Sequence, residues 1–139
     1  DSALAVGDTV LVGSERAADM GSFEGREFVP KFSELYGCPH IPTNTPLPVV
    51  ASNSVSGAAS PYVDRSAAQI ENMEGAAFFD VCLRERVPFW ELRAISNTVG
   101  EPFGQWNIPQ ATDALARAIG RLLQTAESTY RTARSSDET

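Results

Sequence analysis

The chain has a single histidine, His40, and only two cysteines, Cys38 and Cys82, far apart in sequence. No pair or cluster stands at metal-ligand or CxxC spacing, so neither a metal centre nor a dithiol redox site is expected. Both thiols are expected free, in a reducing, cytoplasmic compartment, with Cys82 in the core. Basic residues are few as well, 11 against 18 acidic ones, for a net charge of −7. A nucleic-acid partner would call for the opposite balance. No apolar run reaches the roughly 20 residues of a membrane-spanning helix, so no membrane partner is expected. Repeats are absent, and the one biased stretch, polar Arg131 to Thr139, is expected as a frayed tail on a domain covering residues 1–130. The chain opens on Asp1 without a signal-peptide pattern and runs almost at once into Thr9-Val10-Leu11-Val12. A mature secreted protein, a processed chain and a truncated one all begin this way.

What is present suits one globular domain: 139 residues, 42% hydrophobic and 21% charged, enough for a single core. Ala5 to Gly13 reads as a first strand after a Gly7-Asp8 turn. Glu15 to Tyr36 mixes acidic and aromatic residues and predicts a loop with a short helix. Residues 37–48 hold four prolines and must be irregular. Leu47 to Ser52 reads as a second strand, followed by the small, polar run Asn53-Ser54-Val55-Ser56-Gly57. Glu74 to Arg86 places Ala77, Phe78, Val81 and Cys82 on one helical face, and Pro88 stops it. Phe89 to Ser96 reads as a third strand. A last helix, Ile108 to Tyr130, carries a stripe of Ile108, Ala111, Leu115, Ala118, Ile119, Leu122 and Ala126, with Asn107 as its cap. Strand–helix–strand order with short links predicts an α/β fold with helices covering a largely parallel sheet.

Two short segments carry the chemistry: Asn72-Met73-Glu74-Gly75-Ala76-Ala77, and Arg93-Ala94-Ile95-Ser96-Asn97. Glu74 falls at a helix start, where the dipole favours its carboxylate. Gly75 lets a ligand or another backbone come close. Asn97 falls at the carboxyl end of a strand, and ligands of open α/β sheets bind outside such ends. A carboxylate there accepts from two vicinal hydroxyls, and a carboxamide both donates and accepts, which suits a base edge. Spacing alone favours the plainer reading, in which both residues serve only as caps.

The segment AQIENMEGAAFFDVCLRERVPFWELRAISN resembles the M-E-G/A-A…R-A-I-S-D/N signature of the methylthioadenosine/S-adenosylhomocysteine nucleosidases, within the nucleoside phosphorylase superfamily. The Asn ending, Val55-Ser56-Gly57 and Trp106-x-Ile108-x-x-Ala111 look most like the futalosine hydrolases. The likeness covers most of residues 1 to 123, with only pattern-level agreement in the first fifty. It implies a three-layer fold with a central mixed, largely parallel sheet flanked by helices, of which this chain holds the carboxy-terminal portion. It implies hydrolysis of the N-glycosidic bond of futalosine to hypoxanthine and dehypoxanthine futalosine, on an alternative menaquinone pathway, without a cofactor and in a homodimer. On this resemblance Glu74 holds the ribose hydroxyls and Met73 packs against the sugar. Asn53, Val55 and Ser56 line the base side. Asn97 is the catalytic-site amide, standing where adenine-specific relatives carry an Asp that helps protonate N7. An amide gives up no proton but donates to the 6-oxo group or N7 of hypoxanthine, so 6-oxopurines are expected over adenine. The family's water-activating glutamate lies near the start of its full-length chains and has no counterpart in this sequence.

Other residues have plainer readings. Arg93 beside Glu91 at i−2 is expected in an ion pair rather than as a phosphate anchor. His40 is expected as a surface loop residue. Phe23, Phe28, Phe32 and Tyr36 serve either packing or a substrate's aromatic tail. Trp106 either covers a pocket mouth or staples a helix start. Besides futalosine hydrolysis, three functions stay open: a purine nucleoside phosphorylase, which needs a basic phosphate site, a methylthioadenosine/S-adenosylhomocysteine nucleosidase, and a non-catalytic purine-binding domain.

Overall fold

The computed structural model describes residues 3–31 and 34–137, with side chains through residue 125. In chain order the elements are β1 (Thr9–Ala17), β2 (Gly21–Glu24), β3 (Glu27–Pro30), β4 (Leu35–Gly37), β5 (Val49–Ser54), β6 (Ile70–Asn72), α1 (Gly75–Arg84), β7 (Leu92–Ala94) and α2 (Ile108–Asp137). A short 3₁₀ turn, Phe103–Gln105, precedes α2.

β1 is the axis of the sheet. β5 runs parallel to it from Leu11↔Val49 to Ala17↔Ser54, and β6 adds a further parallel strand beyond β5. The opposite edge of β1 is divided between two antiparallel partners, β7 against Thr9–Leu11 and β4 against Ser14–Arg16. The sheet is thus mixed, with its longest pairing parallel, and helices flank it. That is the expected α/β class, and it is consistent with a nucleoside phosphorylase-like fold.

A bulge in β1 decides what faces the core. Val12 pairs with Val50 and Glu15 with Ser52, so one residue too many lies between Val12 and Ser14. Strict alternation from Val10 and Val12 would turn residue 14 inward and residue 15 out. The extra residue reverses that and brings Glu15 onto the same face as the core valines. The core consists of Val10, Val12, Val50, Ile70, Phe79 and Phe89, with Tyr36, Cys38 and Cys82 packed against it. The thiols of Cys38 and Cys82 are free.

The helices sit where periodicity places them, but with rotated faces. α1 buries Gly75, Ala76 and Phe79, while Phe78 and Val81 are exposed. Its sequence is apolar almost all round, so spacing could not select the inward side. Phe79 is completely buried, a burial that stabilises the fold by roughly 1.5–3 kcal/mol. On α2, Ala111, Ala114 and Ala118 are buried, and the helix packs against β7 and β1. Ile108 and Ile119 of the expected stripe are exposed, and the side chain of Ala126 lies outside the described residues. Asn107 caps the helix as expected, its Oδ1 accepting from the Gln110 amide at 3.2 Å. The segment read as a polar tail has helical backbone as far as Asp137. Residues 138 and 139 lie outside the described residues.

Among the described residues Glu15 to Tyr36 forms no helix. It holds the end of β1, the β2–β3 hairpin and β4. The hairpin turns on Gly25 at φ 68°, a conformation glycine adopts freely. Phe23 and Phe28 face each other across it, and both meet Tyr62 edge-on or tilted, with centroids 5.4 and 4.4 Å away. Tyr36 packs on the core, whereas Phe23 stays exposed beside Tyr62. Phe32 lies outside the described residues. No helix among the described residues is long and apolar enough to cross a membrane.

Candidate active site

An open cavity of about 720 Å³ is bordered by Val55, Asn72, Met73, Glu74, Arg93, Asn97 and Trp106, among others. Four of the six site residues expected from sequence lie on it: Val55, Met73, Glu74 and Asn97. They converge in a different way than expected. β6 runs with β5 and β1, whereas β7 runs against β1, so the carboxyl ends of β6 and β7 point in opposite directions. Glu74 and Asn97 therefore border one cavity although the strands that precede them run in opposite directions.

Asn53 and Ser56 do not border it. Asn53 is buried, and its Nδ2 donates to the Asp64 carbonyl at 3.0 Å. The Ser56 amide and hydroxyl both donate to the Asp19 carboxylate, the hydroxyl at 3.2 Å. Side chains already committed in this way pin loops together. Of the small, polar run at the end of β5, Asn53 and Ser56 therefore hold loops in place, while Val55 borders the cavity.

Glu74 occupies the capping position of α1 but makes no capping bond of its own. Asn72 does that work: its Oδ1 accepts from the amides of Glu74 at 2.9 Å and Gly75 at 2.6 Å. The Glu74 carboxylate is left exposed at the positive helix end, 3.4 Å from both Nη1 and Nη2 of Arg93. Arg93 is held more tightly by the buried Glu91, with Nε 2.6 Å from Oε1, which is the ion pair expected from sequence.

Beneath this pair lies a carboxyl that sequence reasoning missed. Glu15 is fully buried, accepts from the Ser54 hydroxyl at 2.9 Å and from the Asn72 carboxamide, and neighbours Glu91. Burial pushes its pKa above the ordinary 4.5, the hydrogen bonds of Ser52 and Ser54 oppose that, and the charge on Glu91 adds to it. The available signal was an acid inside a valine-rich strand, obscured because the strand was expected to end at Gly13. Gly75 is required here by close packing. A Cβ on it would overlap the Glu15 carboxyl and come within 2.8 Å of Asn72 Nδ2.

On the other wall, Asn97 Oδ1 accepts from Ser96 Oγ at 2.7 Å and its Nδ2 donates to the Thr98 carbonyl at 3.0 Å. The loop closes on Glu101, whose Oε2 accepts from the Thr98 amide at 2.9 Å and whose carbonyl accepts from Trp106 Nε1 at 3.0 Å. Trp106 borders the cavity and stacks edge-on with the exposed Phe103 at 5.0 Å. His40 is exposed, its ring against Phe89. Among the described residues no group of His, Cys, Asp or Glu is arranged to hold a metal ion.

No family model matches the chain. It is similar to the futalosine hydrolase of Thermus thermophilus, with 50% identity over 60 residues, covering 42% of this chain and 27% of that protein. It is also similar to the futalosine hydrolase of Streptomyces coelicolor, with 31% identity over 144 aligned positions, covering 88% of this chain and 60% of that protein. The chain thus spans at most 60% of the length of these curated relatives.

Proposed function

We propose that this futalosine hydrolase-like chain carries the ribose- and purine-binding wall of a nucleosidase that cleaves the N-glycosidic bond of futalosine, releasing hypoxanthine and dehypoxanthine futalosine. The observation that carries the reading is the shared cavity, with the carboxylate of Glu74 and the carboxamide of Asn97 both on it. Its volume falls within the roughly 300–1,000 Å³ usual for small-molecule sites.

In this reading Glu74 accepts both ribose hydroxyls, and the half-exposed Met73 forms an apolar wall for the sugar. Asn97 exchanges its local bond to Thr98 for the 6-oxo group or N7 of hypoxanthine. As the glycosidic bond breaks, positive charge builds on the sugar and negative charge on the base. A carboxylate beside the first and an amide N–H toward the second stabilise both without moving. The amide at position 97 favours a 6-oxopurine over adenine, which supports futalosine over methylthioadenosine. Hydrolysis is favoured over phosphorolysis because Arg93, the cationic residue among the lining side chains, is already bridged to Glu91 and Glu74. The resemblance further supports a role in menaquinone biosynthesis, a cytoplasmic setting and a homodimer.

Base release from futalosine with and without phosphate tests the reaction, and calorimetry with inosine and hypoxanthine tests the site. Glu74→Ala is expected to weaken inosine binding by about 3 kcal/mol, the worth of two charge-assisted bonds at roughly 1.5–3 kcal/mol each less residual solvation, and to leave hypoxanthine unaffected. Equal losses for both ligands, or none for either, would remove Glu74 from the ribose.

A further inference from the structure

Asn72 is the most heavily bonded side chain beside the cavity. Its Oδ1 accepts from the Glu74 and Gly75 amides and from Arg93 Nη2 at 3.3 Å. Its Nδ2 donates to Ser52 Oγ at 2.7 Å and to Glu15 Oε1. A carboxamide has nearly the same shape turned end for end, so only its partners fix its sense. Turned over, Asn72 would set its NH2 against two backbone donors and a guanidinium. Ser52 cannot enforce the choice, because a hydroxyl donates or accepts as needed. Glu15 can. Its other oxygen is engaged by Ser54 Oγ, which in turn receives the Ala76 amide at 2.7 Å. Oε1 is left to face Asn72 as an acceptor.

We propose that Glu15, buried and outside the cavity lining, is a positioning residue for Glu74: as the acceptor beneath Asn72 Nδ2 it joins the Glu74 and Gly75 amides and Arg93 in fixing the sense of the Asn72 carboxamide, and so holds the start of α1 and the Arg93 guanidinium with the Glu74 carboxylate facing the cavity. The inference rests on the reading of Glu74 as the ribose ligand. What the position requires is reach and an accepting oxygen, which the geometry shows in use toward Asn72 Nδ2. Glutamine meets that requirement. Aspartate, one methylene shorter, keeps the acid but not the reach.

The test is the affinity ratio of inosine to 2′,3′-dideoxyinosine, measured by calorimetry on the full chain, with thermal melts to establish folding. The wild type is expected to prefer inosine roughly a hundredfold, and Glu74→Ala to lose that preference. Glu15→Gln keeps the ratio, whereas Glu15→Asp and Glu15→Leu lower it at least roughly tenfold, with hypoxanthine affinity unchanged in all three. If Glu15→Asp keeps the ratio while Glu15→Gln loses it, or if both keep it, the inference is overturned and Glu74 retains its assignment. If the wild type shows no preference, both fall. Should Glu15→Leu fail to fold, the Gln and Asp pair decides.

Discussion

Around Glu74 the cavity wall is tied through Asn72 to the buried Glu15, 57 positions away, and through Arg93 to the buried Glu91, two positions away. Around Asn97 the side-chain bonds span one to five positions, and the backbone of Ile95 is joined to Gly7 and Asp8. The first wall exists only when β1, β5, β6 and α1 have assembled. The side-chain bonds of the second need only its own loop. A wall fixed from below keeps one backbone geometry while its outer carboxylate can still exchange a loose tether, whereas a wall held locally can also shift its backbone to meet a ligand. In the proposed function, the sugar end is therefore pre-set and the base end adjustable, which places substrate choice with Asn97 and its neighbours.

That contrast predicts unequal responses to substitution. The largest is expected at Gly75→Ala, where the added methyl must displace the Glu15 carboxyl or Asn72. We expect a loss of about 3 kcal/mol, at the upper end for an overpacked site, read from urea midpoints. Unchanged stability would show the buried wall to be as yielding as the other. Next comes Asn97→Asp, expected to leave stability within about 0.5 kcal/mol because its partners are local and it is only partly buried. Its effect should fall on selectivity, moving the inosine-to-adenosine affinity ratio roughly tenfold toward adenosine, the worth of one hydrogen bond. A stability loss without a selectivity shift would reverse the assignment of the two walls.

The smallest effect is a pH dependence. Because the Glu15 pKa is raised above 4.5, the folded chain keeps that proton where the unfolded chain has released it. The contribution to stability is complete below about pH 4.5 and is lost as pH rises through the raised value. Stability of the wild type should therefore fall relative to Glu15→Gln as pH increases across that window. Denaturation curves that keep a constant gap between the two chains from about pH 4 to about pH 8 would contradict a buried, proton-holding acid.

Much of the fold was legible in the sequence. The Asn107 cap, the prolines of residues 37–48 and the helical spacing of α1 and α2 are local signals, and they locate α1 and the start of α2 to within two residues, although α2 runs on past the expected Tyr130 to Asp137. What failed depended on distant neighbours. The three residues of β6 are too short to show a period. The hairpin carried a turn signal at Gly25-Arg26, but its aromatic residues do not alternate cleanly with polar ones. For the site, the motif resemblance singled out Met73, Glu74 and Asn97, all of which border the cavity. Asn53 and Ser56 were drawn in by position in a small, polar run, and their actual partners, Asp64 and Asp19, lie elsewhere in the chain. Glu15 escaped because a bulge, invisible to any alternation rule, turns it inward.

Arg93 is shared unequally, 2.6 Å from Glu91 and 3.4 Å from Glu74. The nearer carboxylate already neutralises the guanidinium, so a diol arriving at Glu74 exchanges only the looser tether. No cation is stranded and no counterion has to be recruited from solution. Inosine affinity should accordingly stay almost flat with ionic strength, unlike that of a ligand captured by an unbalanced charge.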